Sequence, residues 1–306
     1  MSAHRHRATY NGILFNGIFG GDDPEDGTQQ DLTYEDSDFR LYELDATRLS
    51  VSDLHEMRQW MEGATPNESF EGIRLLNGRG LILGKTPGDV EDRAWALGAA
   101  FSPANVMQAS TQGLVASFPD EPIGVLPFDV RRDRDGLSPL GLRWYCRPFI
   151  GRPIVIGKSG EGLSRPFQFQ LVSFVPTAFG QDLRFVPLAD RSGGANVVTN
   201  DGTATTMPQV QIILSGHGNA TTTLHNETTG QIVVFDLSAG LNPFPRQLWV
   251  MADQGEIIDT VRDSRYFIRK AGFVTNLYLV PGSNIITWDK PSNVTSVTFV
   301  YRDAYA

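Results

Sequence analysis

The chain has 306 residues, 41% hydrophobic and 20% charged, enough for one large or two medium domains with ordinary cores. Its 26 basic and 35 acidic residues leave a formal charge of −9, the wrong sign for a protein that binds nucleic acid by neutralising phosphates. No run approaches the roughly eighteen apolar residues of a membrane span, and the single cysteine, Cys146, excludes an internal disulfide and a thiol-based zinc site.

The first seven residues, Met1-Ser2-Ala3-His4-Arg5-His6-Arg7, are basic without an apolar run behind them, which describes a polar arm and not a secretory signal. A helix is expected over residues 52–62, with Leu54, Met57 and Met61 on one face. Strands are expected at 72–76 and 80–83. Thr86-Pro87-Gly88-Asp89 then supplies an N-cap, a proline at the first helical position and an acid in the first turn. Behind it Val90, Ala94, Leu97 and Phe101 recur at helical spacing, and Pro103 limits the extension, so one helix lies on a sheet. Further strands are expected at 113–118, 124–130, 142–148 and 167–175, the last with the strict alternation of a strand wetted on one face.

Residues 182–208 are poor in large apolar side chains and rich in turn formers, notably Arg191-Ser192-Gly193-Gly194-Ala195 and Thr199-Asn200-Asp201-Gly202-Thr203. They suggest a linker, with Val197-Val198 able to form a short strand inside it. Beyond it, β-rich runs fall at 210–214, 221–225, 232–237, 247–251, 257–261, 274–279, 285–288 and 294–301, separated by Gly, Pro, Asn or Asp. Such spacing predicts a β-sandwich. Charge follows the same division: residues 1–206 hold 19 basic and 27 acidic side chains, net −8, and residues 207–306 hold 7 and 8, net −1. The expected fold is therefore mainly β: an α+β N-terminal domain over 1–181 with one or two helices packed on strands, a linker over 182–206, and an antiparallel β-sandwich over 207–306.

Motifs that would carry chemistry fail on spacing. In Gly151-Arg152-Pro153-Ile154-Val155-Ile156-Gly157-Lys158-Ser159 five residues separate the glycines where a phosphate loop needs four, so a strand and turn explain it. Asp133-Arg134-Asp135-Gly136 starts like a calcium loop but lacks the later ligands, which leaves an acidic hairpin turn. His4, His6, His55, His217 and His225 have no metal-ligand spacing, no serine stands in a G-x-S-x-G context, and Cys146 has no evident base. No catalytic, cofactor-binding or metal-binding residue is assigned, and an enzyme is not expected.

The segment Leu277-Tyr278-Leu279-Val280-Pro281-Gly282-Ser283-Asn284-Ile285-Ile286-Thr287-Trp288, with the ending Val297-Thr298-Phe299-Val300-Tyr301-Arg302-Asp303-Ala304-Tyr305, resembles the C-terminal signature of siphophage distal tail proteins. Residues 208–214 and the hairpin Asn226-Glu227-Thr228-Thr229-Gly230-Gln231 match the layout of the same domain. Asn77-Gly78-Arg79-Gly80-Leu81-Ile82-Leu83-Gly84 before the 86–101 helix is similar to the family's strand-then-helix element, and 167–175 to the strand closing its ring domain. The resemblance implies a virion protein made in the host cytoplasm: a hexameric baseplate or tail-tip ring with galectin-like sandwiches projecting outward. It implies the tail tube protein, the tail-tip hub protein and the tape measure protein as partners, with DNA passing an axial channel unbound.

Strand edges are natural sites for subunit pairing, and the ring interface is expected near Val115, Phe118, Trp144 and Tyr145. The rival reading is a carbohydrate-binding module of the tail, in which Trp249, Tyr266 and Tyr278 stack on sugar rings. Apolar neighbours around Trp249 and Trp288 favour the core for both.

Overall fold

The computed structural model describes residues 6–16, 38–48, 74–113, 124–134, 137–149, 153–158, 162–173, 175, 177–190, 194–216, 221–237, 247–253, 255–259, 264–265 and 268–306. The helix expected at 52–62 and residues 114–118 of the expected strand lie outside them. The chain divides into two compact units, Met1–Ala178 and Phe179–Ala306, and is mainly β, with antiparallel sheets and two α-helices among the described residues. Neither helix is long and apolar enough to cross a membrane.

The first unit holds β1 (His6–Tyr10), β2 (Ile13–Phe15), β3 (Phe39–Arg48), β4 (Arg74–Leu83), α1 (Pro87–Ala100), α2 (Pro103–Gly113), β5 (Leu126–Arg134), β6 (Leu137–Pro148), β7 (Ile154–Ile156) and β8 (Ser164–Ser173). The strands run β2-β1-β5-β6-β8-β4-β3, with β7 also paired to β8. The outer strands of this order meet at Asn16: its backbone N–H donates to the Phe39 carbonyl (2.9 Å), its Nδ2 to the Leu41 carbonyl (2.9 Å), and its Oδ1 accepts from the Leu41 N–H (2.8 Å). A side-chain amide thus does the work of a ladder residue where the chain leaves the sheet. His6 and Arg7, expected in a polar arm, belong to β1, opposite Arg132 and Arg131.

Alternation along each strand sends one set of side chains inward, and on β4 every second residue is buried. The inward set is aromatic: Phe169 lies 4.9 Å from Phe101, 5.5 Å from Phe15 and 5.9 Å from Phe128, ring centre to ring centre. Phe169 and Phe167 stand opposite Gly78 and Gly80 of β4, and the rings lie over the space the two glycines leave. This explains a correction. Two strands interrupted at Gly78 were expected, but β4 is one ten-residue strand, because glycine here accommodates a neighbouring ring and makes no turn.

Helix α1 starts as the sequence requires. Thr86 Oγ1 accepts from the Asp89 N–H (3.1 Å) and Asp89 Oδ2 accepts from the Thr86 N–H (2.9 Å). Hydrogen bonding to Thr86 holds the Asp89 carboxyl below the usual carboxylate range. Val90, Ala94, Leu97 and Ala100 form the buried face. α1 ends at Ala100, short of Pro103 as expected, and Pro103 opens a second helix, α2, whose Val106 N–H donates to the Ser102 carbonyl (3.0 Å). Gly113, expected to begin a strand, ends α2.

After β9 (Ala178–Gly180) come β10 (Arg184–Leu188), β11 (Asn196–Asn200), β12 (Gln209–Leu214), β13 (Thr221–Asn226), β14 (Gln231–Asp236), β15 (Gln247–Met251), β16 (Glu256–Asp259), β17 (Arg269–Ala271), β18 (Gly282–Trp288), β19 (Val294–Tyr301) and β20 (Ala304–Tyr305). One sheet has the order β10-β19-β12-β15-β16 and the other β11-β18-β13-β14-β17. Their inner faces share one core that includes Ile212, Val250 and Phe299 from the first and Leu224, Phe235 and Trp288 from the second.

The expected linker at 182–206 is corrected here. β10 pairs with β19 and β11 with β18, so each supplies an edge strand to one sheet of the sandwich. The expected strand at 274–279 is also corrected: Val274–Asn276 form a turn of 3-10 helix, and Leu279 makes a bridge with Thr206. Buried Val274 and Leu277 have the three-residue spacing of that turn.

Candidate functional site

Ile154–Ile156, inside the glycine-flanked run, is β7, with Val155 opposite Gln168. β5 and β6 pair antiparallel with Arg134 opposite Leu137, and Asp135 and Gly136 of the expected acidic turn lie outside the described residues. His225 lies in β13 opposite Ile232, whereas His4, His55 and His217 lie outside the described residues. Among the described residues no three His, Cys, Asp or Glu side chains are grouped to hold a metal ion. Cys146 is fully buried, and burial pushes its thiol well above the usual range, so it stays protonated and packs as a small hydrophobe.

The residues expected at a ring interface separate. Val115 and Phe118 lie outside the described residues. Trp144 is only 2% exposed, so its ring packs inside its own unit and is removed from the interface set. Tyr145 is half-buried on the opposite face of β6. Beside it Arg143 makes two 2.7 Å bonds to the carboxylate of Asp129 across β5 and β6, a paired arrangement that fixes this face.

The expected sugar-stacking residues do not form a platform either. Trp249 is 6% exposed and packs with Met251 and Val300. Trp288 is 2% exposed, and its Nε1 donates to the Leu188 carbonyl (3.3 Å). Tyr278 is half-buried and Tyr266 lies outside the described residues. Trp288 belongs to the core between the sheets, whereas Trp249, expected there too, is buried in a smaller cluster on the opposite face of β15 from Leu248 and Val250.

The residues that organise the second unit are buried amides and one acid near the chain end, and the sequence reading assigned them no role. Asn284 is fully buried: its Oδ1 accepts from the Val280 N–H (3.0 Å), and its Nδ2 donates to the carbonyls of Val280 (2.8 Å) and Gly282 (3.1 Å). It closes the Pro281-Gly282 turn from inside. Asn226 spans the neighbouring hairpin, donating to the Tyr278 carbonyl (2.9 Å) and accepting from the Thr228 N–H (3.1 Å). Asn200 donates to the Ala204 carbonyl (2.8 Å) and accepts from the N–H groups of Gly202 (3.1 Å) and Ala304 (3.3 Å). Asp303 accepts from the Asp201 N–H (2.9 Å) and pairs with Arg184 (2.6 Å), which also pairs with Asp201. The Arg302 guanidinium donates to the Gln181 carbonyl, so the terminal Arg-Asp-Ala-Tyr run is fastened to the first residues of the same unit.

Comparison with solved structures finds a likeness that takes in both units. The chain has the fold of a phage Dit protein. Dit (gp 19.1) of phage SPP1, described as a paradigm of the hub adsorption apparatus in phages that infect Gram-positive bacteria, matches with a TM-score of 0.51 at 11% identity. The match covers 98% of this chain and 99% of the Dit chain, so the likeness to Dit includes both units. Neither protein-family models nor the curated proteins give a match to the sequence.

Proposed function

We propose that this protein is a structural component of a phage virion: a distal tail ring that joins the tail tube to the tail-tip hub and leaves an axial channel for DNA. One observation carries the reading. The fold of a phage Dit protein extends over nearly the whole chain, at the place where the sequence carries a distal-tail signature. Asn284 and Asp303, two polar residues of that signature, close the turn and fasten the C-terminal tail.

In this reading six copies form the ring through their first units, the sandwiches project outward as galectin-like domains, and the ring contacts the tail tube, hub and tape measure proteins. The protein is made in the host cytoplasm, ends in the virion at the tail tip or baseplate, and acts without catalysis. Residues 1–178, with 17 basic and 24 acidic side chains and net −7, give the ring a charge that repels DNA phosphates and lets the duplex slide. Sugar binding gains no support, because Trp249 and Trp288 are buried. Sedimentation of the purified chain tests the proposal: the expected particle has about six times the monomer mass of 33.7 kDa. A species fixed at the monomer mass at every concentration contradicts it.

A further inference from the structure

Strand alternation gives β1, β5 and β6 two faces. Ala8, Val130, Leu142, Trp144 and Cys146 point into the core of the first unit. The opposite face carries Arg7 from β1, Asp129 and Arg131 from β5, and Arg143, Tyr145 and Arg147 from β6. Four arginines and one acid share it, net +3. With these five set apart, residues 1–178 keep 13 basic and 23 acidic side chains, net −10. Pairing of β1 with β5 concentrates the positive charge. It sets Arg7, from the basic N-terminal run, directly opposite Arg131, which is exposed and whose other cross-strand neighbour is Gly141. Like charges opposite one another on one face cost stability, and carboxylates laid between them offset that cost. The neighbouring positions are ordered for contact. Arg143 is held by two 2.7 Å bonds to Asp129, and Tyr145 follows it on the same face. Arginine and tyrosine dominate binding energy at protein interfaces.

We propose that this arginine face docks a carboxylate-rich segment of a partner protein, with acids bonded by Arg7 and Arg131 and the segment resting on Tyr145. Charge selects an anionic occupant, because the face is a positive island on a negative unit. Size selects protein over nucleic acid. Three strands about 4.8 Å apart, and the step from Gly141 to Arg147 at about 3.3 Å per residue, give a face of roughly 10 by 20 Å. A duplex carries its charge on past that area by more than the roughly 8 Å Debye length, where the net −10 of the surrounding unit repels it. A short acidic segment ends within the face. The claim goes beyond the ring reading and stands without it.

The test is binding of a dye-labelled glutamate dodecamer to the full chain, read by fluorescence anisotropy beside a labelled duplex DNA. A chain of net −9 has no general attraction for either polyanion, so binding reports a local site. The variants are Arg131→Glu, Arg131→Gln and Lys158→Glu, the last making the same charge change at an exposed residue outside this face. Equal melting temperatures show that each is folded, and Arg131→Gln carries the test alone if the reversal does not fold. Wild type is expected to bind the dodecamer more tightly than the duplex. Its dissociation constant rises at least roughly tenfold in Arg131→Glu and by less in Arg131→Gln, whereas Lys158→Glu matches wild type. Wild type without affinity for the dodecamer overturns the proposal. Equal weakening by Arg131→Glu and Lys158→Glu also overturns it, since overall charge then explains the binding. Tighter binding of the duplex overturns it in favour of phosphate. None of these results bears on the six-copy particle, which sedimentation reads separately.

Discussion

Gly80→Val is expected to unfold the first unit under conditions where the second remains folded. A Cβ at position 80 would lie 2.1 Å from the Arg40 carbonyl oxygen and 2.4 Å from Cζ of Phe167. The first clash is with backbone of the paired strand β3. The second is with a ring that is 3% exposed and stacked 6.3 Å from Phe169, so neither neighbour has room to withdraw. Overpacking at such a site costs about 3 kcal/mol or more, a large share of the stability of one domain. Gly78→Ala meets the Phe169 ring at 2.2 Å and should follow the same pattern to a lesser degree, since no backbone atom is struck. At Gly98, within α1, an added methyl would meet nothing within 4 Å, and Gly98→Ala should raise stability by up to about 1 kcal/mol. Differential scanning calorimetry reads all three, because the two units need not melt together. A Gly80→Val protein with an unchanged lower transition would show that the ring-over-glycine packing is not required.

Asn284→Ala should destabilise the sandwich by about 3 kcal/mol. The amide is fully buried and bonds both the N–H and the carbonyl of Val280 as well as the Gly282 carbonyl. Alanine leaves these backbone groups without their partner in a site shielded from water, and each unmet group costs about 1–3 kcal/mol before relaxation. Asn284→Ser keeps some polarity but is too short to bridge the turn, and should recover only a minor part. Urea unfolding followed by tryptophan fluorescence measures both, with Trp288 on the same strand as reporter. A loss under about 1 kcal/mol would mean that the Pro-Gly-Ser-Asn turn holds its shape without the amide.

Legibility followed the size of the signal. The α1 start was readable because Thr86, Pro87 and Asp89 act on one another within four residues, and the strands of the sandwich were readable where β-branched runs were long. β10 escaped and β11 was signalled only by Val197-Val198, because edge strands are short and half-exposed: Phe185 and Val197 are each 61% exposed, and the stretch between is polar. The signal for α2 was present in Ser102-Pro103, the same cap-then-proline pattern as Thr86-Pro87. The β1–β2 hairpin was also signalled, by Asn11-Gly12, whose φ values of 45° and 80° are those of a tight hairpin turn.

Side-chain placement was harder to read than the elements. Trp144 was expected at an interface because strand edges suit subunit pairing, yet strand alternation puts Trp144 inside and Tyr145 on the other face. The buried roles of Asn200 and Asn226 depend on partners as far as 104 residues away in sequence, which no local pattern records, whereas Asn284 bonds within its own turn. Only the Pro-Gly-Ser-Asn turn and the terminal Arg-Asp-Ala-Tyr run pointed toward them.

Negative-stain imaging of the purified chain tests the proposed ring most directly. The expected particles are annular, with six-fold symmetry, an open centre and peripheral lobes for the sandwiches. Particles that are uniformly single-copy, or closed assemblies with no central opening, would contradict the ring.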